Sequence, residues 1–213
     1  MKTDVLKDIG ETKVVAIIRG MAPEICVNLA EAYAKGGIRL VEVTFDQTGD
    51  PETTITAIKA IREKVGDRMH VGAGTVLTSS QLEMLIAAGG EFMVTPNTNP
   101  ALIRRANEAG LVTIPGAYTP TEVVTAHEAG ADFVKLFPIR GLGARYVKDL
   151  LAPLKHIRLL AVGGVNAENA GEYVKAGCCG IGASGALVNK DMIAAGDWDG
   201  IAAEARKLIA SVK

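Results

Sequence analysis

The sequence contains few of the residues that metal sites and disulfides require. Its 213 residues include three cysteines and three histidines. Cys26 falls in a helical pattern, and Cys178 and Cys179 are adjacent, so the spacing predicts buried thiols rather than a disulfide framework or a zinc site. The histidines fall at a strand start, in a helix and in a helix-to-strand loop, and they are His70, His127 and His156. We therefore expect no metal and no other cofactor.

The sequence also has little net charge and no long apolar run. The formal net charge is -1, with 22% charged and 48% hydrophobic residues. This balance predicts neither a nucleic-acid partner nor an acidic tail. The first apolar run, Val14 to Ile18, is far too short for a membrane span or a signal sequence. We expect one globular domain over residues 1–213 in the cytoplasm, with no membrane partner.

Apolar and helical segments alternate along the chain after a short N-terminal helix. Strands are predicted at 13–19, 38–45, 70–75, 92–95, 111–115, 131–138, 158–162 and 179–183. Helix starts are predicted from capping patterns such as Asp50-Pro51, Thr78 with Gln81, and Asn166. Eight buried parallel strands favour an α/β protein with a (β/α)8 TIM barrel. A doubly wound open sheet is the alternative, although residues 19–22 lack the G-x-G-x-x-G turn.

Lys135 interrupts the apolar sixth strand. Because side chains alternate along a strand, Val134 and Leu136 face one way, and Lys135 faces the other together with Phe137. A buried ammonium is costly unless it is paired, so burial favours the neutral amine, which is the form that attacks a carbonyl. The sequence therefore predicts a Schiff-base lysine. A structural ion pair, or a lysine that reaches solvent at the strand end, is the alternative.

The functional side chains of a barrel come from the C-terminal ends of its strands. Polar or conformationally special residues stand there: Arg19, Glu42, Thr75, Thr95-Pro96-Asn97, Lys135, Gly163-Gly164 and Ser184. Val41 and Val43 suit the helix layer, which turns Glu42 toward the barrel interior. Glu42 and Lys135 would then face each other. A purely structural pair of opposite charges is the alternative.

Two glycine-containing turns follow the seventh and eighth strands. Gly163-Gly164 and the segment 182–185 lie where barrels commonly bind phosphate with backbone N–H groups and a short helix N-terminus. Glycine allows close approach of the backbone to a ligand. We predict Gly163, Gly164, Gly182 and Ser184 as phosphate-binding residues. Each turn taken alone could be a plain tight turn.

Seven short motifs occur together over nearly the whole chain. They are VEVT at 41–44, GAGTV at 72–76, TPN at 95–97, PGAYTPTE at 115–122, VKLFP at 134–138, GGVN at 163–166 and GAS at 182–184. In this combination the chain resembles the pyruvate-forming class I aldolases that act on 2-keto-3-deoxy-6-phosphogluconate and 4-hydroxy-2-oxoglutarate. The resemblance implies Lys135 as the Schiff-base residue and Glu42 as the general acid/base. It also implies a homotrimer.

The resemblance further implies the substrate contacts and the reaction. Arg19 and Thr75 would contact the pyruvate part, and Pro96 and Phe137 complete the predicted substrate contacts. The expected reaction cleaves a 2-keto-3-deoxy-6-phospho sugar acid to pyruvate and glyceraldehyde 3-phosphate, and also 4-hydroxy-2-oxoglutarate to pyruvate and glyoxylate. An isomerase or epimerase that uses Glu42 as its base, and a non-catalytic binding barrel, are the competing interpretations.

The sequence departs from the family pattern at two positions. Four residues after Glu42, where many members carry an arginine, this chain has Asp46. Ahead of the paired glycines, where many members carry a threonine, it has Val162, so one hydroxyl donor to phosphate is missing. We expect Asp46 to lie at the barrel mouth and to accept a substrate hydroxyl; repulsion of the anionic groups of the substrate is the alternative. The identity of the keto acid and its C4 configuration stay open.

Overall fold

The computed structural model describes residues 2–213, in which strands and helices alternate as the sequence predicts. Met1, where the predicted domain begins, lies outside the described residues. The strands are β1 Val14–Ile18, β2 Leu40–Thr44, β3 His70–Gly74, β4 Phe92–Val94, β5 Val112–Ile114, β6 Gly116–Ala117, β7 Val134–Leu136, β8 Leu159–Val162 and β9 Gly180–Ala183. All neighbouring pairs are parallel.

The helices begin mostly at the predicted caps. They are α1 Lys2–Thr12, α2 Pro23–Lys35, α3 Pro51–Val65, α4 Ser79–Ala87, α5 Pro100–Glu108, α6 Pro120–Glu128, α7 Gly143–Leu151, α8 Ala170–Lys175, α9 Lys190–Ala195 and α10 Trp198–Ser211, with a 3-10 helix at Ile139–Gly141. Asp50 accepts from the N–H of Glu52, and Thr78 forms a capping box with Gln81. No helix within residues 2–213 combines the length and apolar character needed to cross a bilayer.

One predicted cap is wrong. Asn166 was expected to cap the helix after the seventh strand, but α8 begins only at Ala170. The Asn166 side chain instead accepts from the N–H groups of Glu168 and Asn169, which closes a turn ahead of the helix. An asparagine makes this local bond equally well in a turn and at a helix start, so the sequence pattern could not separate the two.

The strands form a barrel, which confirms the predicted (β/α)8 TIM fold. The strand order is β5-β4-β3-β2-β1-β9-β8-β7-β6. The two ends of this order, β5 and β6, are consecutive in the chain with only Pro115 between them; β5 falls within the fifth strand predicted at 111–115, and β6 lies just beyond its predicted end. Proline lacks the N–H group that a ladder needs, so the strand is interrupted there while the ring still closes.

Two apolar layers follow from the alternation of side chains. Val134 and Leu136 belong to the layer between strands and helices, and Phe133 belongs to the layer inside the barrel. Val5 and Ile9 of α1 join the inner layer and are buried, so α1 covers one end of the barrel. The C-terminal ends of the strands form the opposite, accessible end.

An ionic cluster holds α1 to the N-terminal end of the barrel. Nε2 of His70 lies 3.3 Å from Oδ2 of Asp8, and its Nδ1 is hydrogen-bonded to Glu91. Glu91 is also 2.8 Å from Nη1 of Arg62, and Asp8 is 2.9 Å from Nη1 of Arg39. His70 therefore contributes to the contact between α1 and the N-terminal end of the barrel, away from the C-terminal ends of the strands.

Candidate active site

A cavity of about 430 Å³ opens at the C-terminal ends of β1, β7, β8 and β9. Among its lining residues are Arg19, Lys135, Phe137, Arg140, Val162, Gly163, Gly164, Asn166, Gly182 and Ser184. Most of the site residues predicted from the sequence are therefore brought to one place. Their convergence follows from the barrel, because adjacent parallel strands deliver successive loops to the same rim.

Lys135 lies at the centre of β7 and is 4% exposed. Its Nζ lies 4.7 Å from the centroid of the Phe137 ring. Burial lowers the pKa of Lys135 below its ordinary value; the Glu42 carboxylate opposes that shift and Arg19 adds to it. Among residues 2–213, Lys135 forms no ion pair with a carboxylate. A desolvated amine at the edge of a cavity is suited to attack a carbonyl carbon.

Glu42 lies on β2 and is 1% exposed. Burial raises the pKa of this carboxyl group, against the opposing effects of Lys135 and Arg19. Its Oε2 atom is buried and has no hydrogen-bond partner within the described part of the chain. A buried oxygen without a partner is costly, so its presence indicates a group kept free for a ligand or a proton.

Gly74, at the end of β3, makes room for that carboxylate. A Cβ atom placed on Gly74 would lie 2.6 Å from Oε1 of Glu42 and 2.8 Å from its Cδ. These separations are far below ordinary contact, so a larger residue would displace the carboxyl group. Gly74 is not among the site residues predicted from the sequence. Its role depends on the pairing of β3 with β2, which no local sequence pattern marks.

The β8 loop supplies exposed backbone at the cavity. Gly163 and Gly164 have φ angles of 104° and 80°, a region that glycine adopts without strain. A Cβ atom on Gly163 would also lie 3.2 Å from Cα of Pro138. Across the cavity, the carbonyl of Ser184 accepts from the N–H groups of Leu187 and Val188, which forms a helical turn after β9. Such turns present N–H groups to an anion.

Two arginines give the cavity a positive rim. Arg19 follows β1 and Arg140 lies in the 3-10 helix after β7, and both side chains are exposed. Within residues 2–213 neither guanidinium group is engaged in a hydrogen bond or an ion pair. No aspartate or glutamate is among the described residues that line the cavity. The cavity is therefore suited to an anionic ligand.

The remaining predicted contacts lie on the side of the barrel formed by β2, β3 and β4. Thr75 follows β3 with a φ of 56°, an uncommon conformation for a β-branched residue, and its carbonyl accepts from Nε2 of Gln47 at 2.9 Å. Pro96 follows β4 and is half-buried. Neither lines the cavity. Their roles as substrate contacts stay predictions, although backbone strain at Thr75 is a feature common at functional sites.

Asp46 is not brought to the cavity. Its exposed carboxylate accepts from both the N–H and the hydroxyl of Thr48, at 2.9 and 2.8 Å, and the pKa of Asp46 is lowered chiefly by these bonds. The side chain thus closes its own loop after β2. The predicted role as a hydroxyl acceptor for the substrate stays a prediction.

The family model that matches this chain and two similar proteins are named for aldolases. A family model described as "Aldolase: KDPG and KHG aldolase" matches residues 5–204. The 2-dehydro-3-deoxy-6-phosphogalactonate aldolase of Escherichia coli strain K12 is 38% identical over 169 residues, covering 79% of this chain and 80% of that protein. The 2-dehydro-3-deoxy-phosphogluconate aldolase of Treponema pallidum is 36% identical over 195 residues, covering 90% and 89%.

A solved structure extends the likeness to the fold. The KDPG aldolase of Legionella pneumophila, with pyruvate captured at low pH as a covalent carbinolamine intermediate, superposes with a TM-score of 0.86. The identity is 25%, and the match covers 98% of this chain and 99% of that one.

Proposed function

Because the chain belongs to the KDPG and KHG aldolase family and is therefore a lyase, we propose that it cleaves a 2-keto-3-deoxy-6-phospho sugar acid through a Schiff base on Lys135. The products are pyruvate and glyceraldehyde 3-phosphate. The observation that carries this proposal is the buried amine of Lys135 at a cavity with a positive rim, in electrostatic interaction with the buried carboxyl group of Glu42, which does not itself line the cavity. We propose 4-hydroxy-2-oxoglutarate, cleaved to pyruvate and glyoxylate, as a second substrate.

The reaction begins at the neutral amine of Lys135. Nζ attacks the C2 carbonyl, and loss of water from the resulting carbinolamine leaves an iminium ion. The low pKa that burial imposes increases the fraction of neutral amine at a given pH, so it favours this step. The Phe137 ring beside Nζ offers its face to the positive charge that develops there.

Glu42 moves the protons of the cleavage step. Its carboxylate takes the proton of the C4 hydroxyl as the C3–C4 bond breaks, and the bonding electrons enter the iminium to form an enamine. After the aldehyde leaves, the protonated Glu42 returns the proton to C3, and water releases pyruvate and the free lysine. The raised pKa of Glu42 suits a group that must both accept and donate a proton in the cycle.

The configuration of the substrate at C4 is the open part of this proposal. One similar protein is named for 2-dehydro-3-deoxy-6-phosphogalactonate, and another is named for 2-dehydro-3-deoxy-phosphogluconate. Val162, at 6% exposed, lines the cavity and offers no hydrogen bond. We propose that a panel of phosphorylated and unphosphorylated keto-deoxy acids of both configurations identifies the preferred substrate by its pyruvate release.

Reductive trapping tests the proposal directly. Borohydride added with pyruvate should leave a reduced adduct on the peptide that contains Lys135, measured by mass spectrometry. Lys135→Ala should lose both the adduct and pyruvate release, whereas an exposed lysine changed as Lys155→Ala should lose neither. An isomerase or epimerase would convert its substrate without forming an adduct or releasing pyruvate. A binding barrel would convert no substrate at all. Either result would refute the Schiff-base mechanism.

We also propose a homotrimer in the cytoplasm. The support is the resemblance to the aldolase family. Light scattering should give a mass three times that of one chain, and cell fractionation should place the protein with cytoplasmic markers. A monomer at micromolar concentration would refute the proposed homotrimer.

A further inference from the structure

Arg140 is a cation at the cavity to which the mechanism above gives no task. Its guanidinium group forms no hydrogen bond or ion pair within residues 2–213. The neighbouring Arg145, by contrast, is paired with Asp149 across one helical turn at 3.8 Å. An arginine held at a cavity without a carboxylate partner is available to a ligand.

The chain segment around Arg140 is anchored. Ile139, the first residue of the 3-10 helix, is fully buried in the layer between strands and helices. Its carbonyl accepts from the N–H of Leu142 at 2.9 Å, which closes the turn. With Ile139 held in the core, the adjacent Arg140 is left at the rim of the cavity.

The same arginine lies against the glycine turn after β8. A Cβ atom on Gly164 would lie 2.4 Å from Nε of Arg140 and 3.2 Å from its Cβ. Any side chain at position 164 would therefore collide with the guanidinium stem. The absence of a side chain there lets the arginine and the backbone of Gly163 and Gly164 face one and the same space.

We infer that Arg140 is a specificity-determining residue that binds the distal phosphate of the substrate together with the backbone of Gly163 and Gly164. This inference rests on the proposed aldolase function and adds to it the group that selects phosphorylated acids. Arg140 supplies a charged hydrogen-bond donor in the cavity, whereas the Val162 side chain has no hydroxyl to donate.

The physical reason lies in the geometry of guanidinium. Its planar donors match two phosphate oxygens at once, and such charge-assisted bonds are about twice as strong as neutral ones. A phosphate monoester carries a charge of about -1.5 to -2 at neutral pH, so it gains more from Arg140 than a hydroxyl in the same place. The contact therefore discriminates between phosphorylated and unphosphorylated acids.

The test measures that discrimination in matched variants. The quantity is the ratio of kcat/KM for a phosphorylated keto-deoxy acid to kcat/KM for its unphosphorylated counterpart. Arg140→Gln should lower the ratio by about 10- to 100-fold, mainly through KM, as expected for loss of a hydrogen-bonded charge. Arg140→Lys should give an intermediate loss, because it keeps the charge without the fork. Arg145→Gln removes the same charge outside the cavity and should keep the wild-type ratio.

A second measurement, the binding of inorganic phosphate, does not depend on turnover. Inorganic phosphate, followed by phosphorus NMR, should bind the wild type and Arg145→Gln, and should bind Arg140→Gln at least about tenfold more weakly. An unchanged ratio and unchanged phosphate binding in Arg140→Gln would overturn the inference, as would equal losses in both arginine variants. Failure of pyruvate trapping in the wild type would instead refute the aldolase proposal, and the phosphate arm would still decide the role of Arg140.

Discussion

A single methyl group at Gly74 should separate imine formation from carbon–carbon cleavage. In Gly74→Ala the new Cβ atom would lie 2.6 Å from Oε1 of Glu42, whereas ordinary contact begins at 3.4 Å. The Glu42 carboxylate, which is the end of a flexible side chain, must therefore move by about 0.8 Å, and Cγ2 of Thr44, at 2.9 Å from the new Cβ, must also give way. Lys135 lies on β7, which does not neighbour β3.

The size of the effect follows from the displacement. Misplacing a catalytic group by about 1 Å costs about 10²-fold in rate, so a shift of about 0.8 Å should lower kcat by about 10- to 100-fold. Overpacking also destabilises the fold, by about 1–3 kcal/mol. Gly74 has no positive φ angle, so the backbone itself accepts alanine, and the variant should still fold.

Three measurements on one preparation check this prediction. Pyruvate release coupled to lactate dehydrogenase gives kcat, borohydride trapping with pyruvate reports the imine, and urea unfolding gives the stability. We expect a reduced kcat with trapping intact. Gly10→Ala is the matched control, because a Cβ atom there meets nothing within 4 Å and kcat should not change.

Two results would refute the reasoning. A folded Gly74→Ala variant with wild-type kcat would mean that the position of the Glu42 carboxylate does not limit the reaction. Loss of trapping in parallel with kcat would mean that the substitution disturbs the whole site rather than Glu42 alone.

Three further predictions concern Glu42, Asp46 and His70. Glu42→Gln should lower turnover by about 10²- to 10⁴-fold, the usual effect of a positioned general acid/base, while pyruvate trapping persists; loss of trapping at saturating pyruvate would assign Glu42 to imine formation instead. Asp46→Asn should raise KM for the true substrate, because the carboxylate that is expected to accept a substrate hydroxyl becomes an amide, and an unchanged KM across the substrate panel would remove Asp46 from the site. The Glu91 hydrogen bond raises the pKa of His70 above its ordinary value of 6.5 despite burial, so its protonation stabilises the fold below pH 6.5 and that contribution is lost as pH rises through the raised pKa. The free energy of unfolding should fall over that range in the wild type and in His127→Gln, and the fall should be smaller in His70→Gln; equal pH dependence in all three would remove His70 from this role.

Local patterns were sufficient to predict the fold and the buried positions of Lys135 and Glu42. Alternation along single strands predicted that Lys135 and Glu42 face the barrel interior, because the two-residue period of a strand does not depend on distant parts of the chain. Helix starts at Asp50 and Thr78 were predictable for the same reason, since a cap is a contact within four residues. The seven motifs added the family.

Contacts between different loops required the three-dimensional structure. The approach of Arg140 to Gly164 joins the segment after β7 to the turn after β8, and the space that Gly74 leaves for Glu42 joins β3 to β2. Asp46 is a further example, since its bonds to Thr48 depend on the path of the loop after β2, while its role as a substrate contact stays a prediction. Such contacts depend on strand register, loop path and packing across the barrel. These are set by the whole chain and leave no periodic signal in the sequence around any one residue.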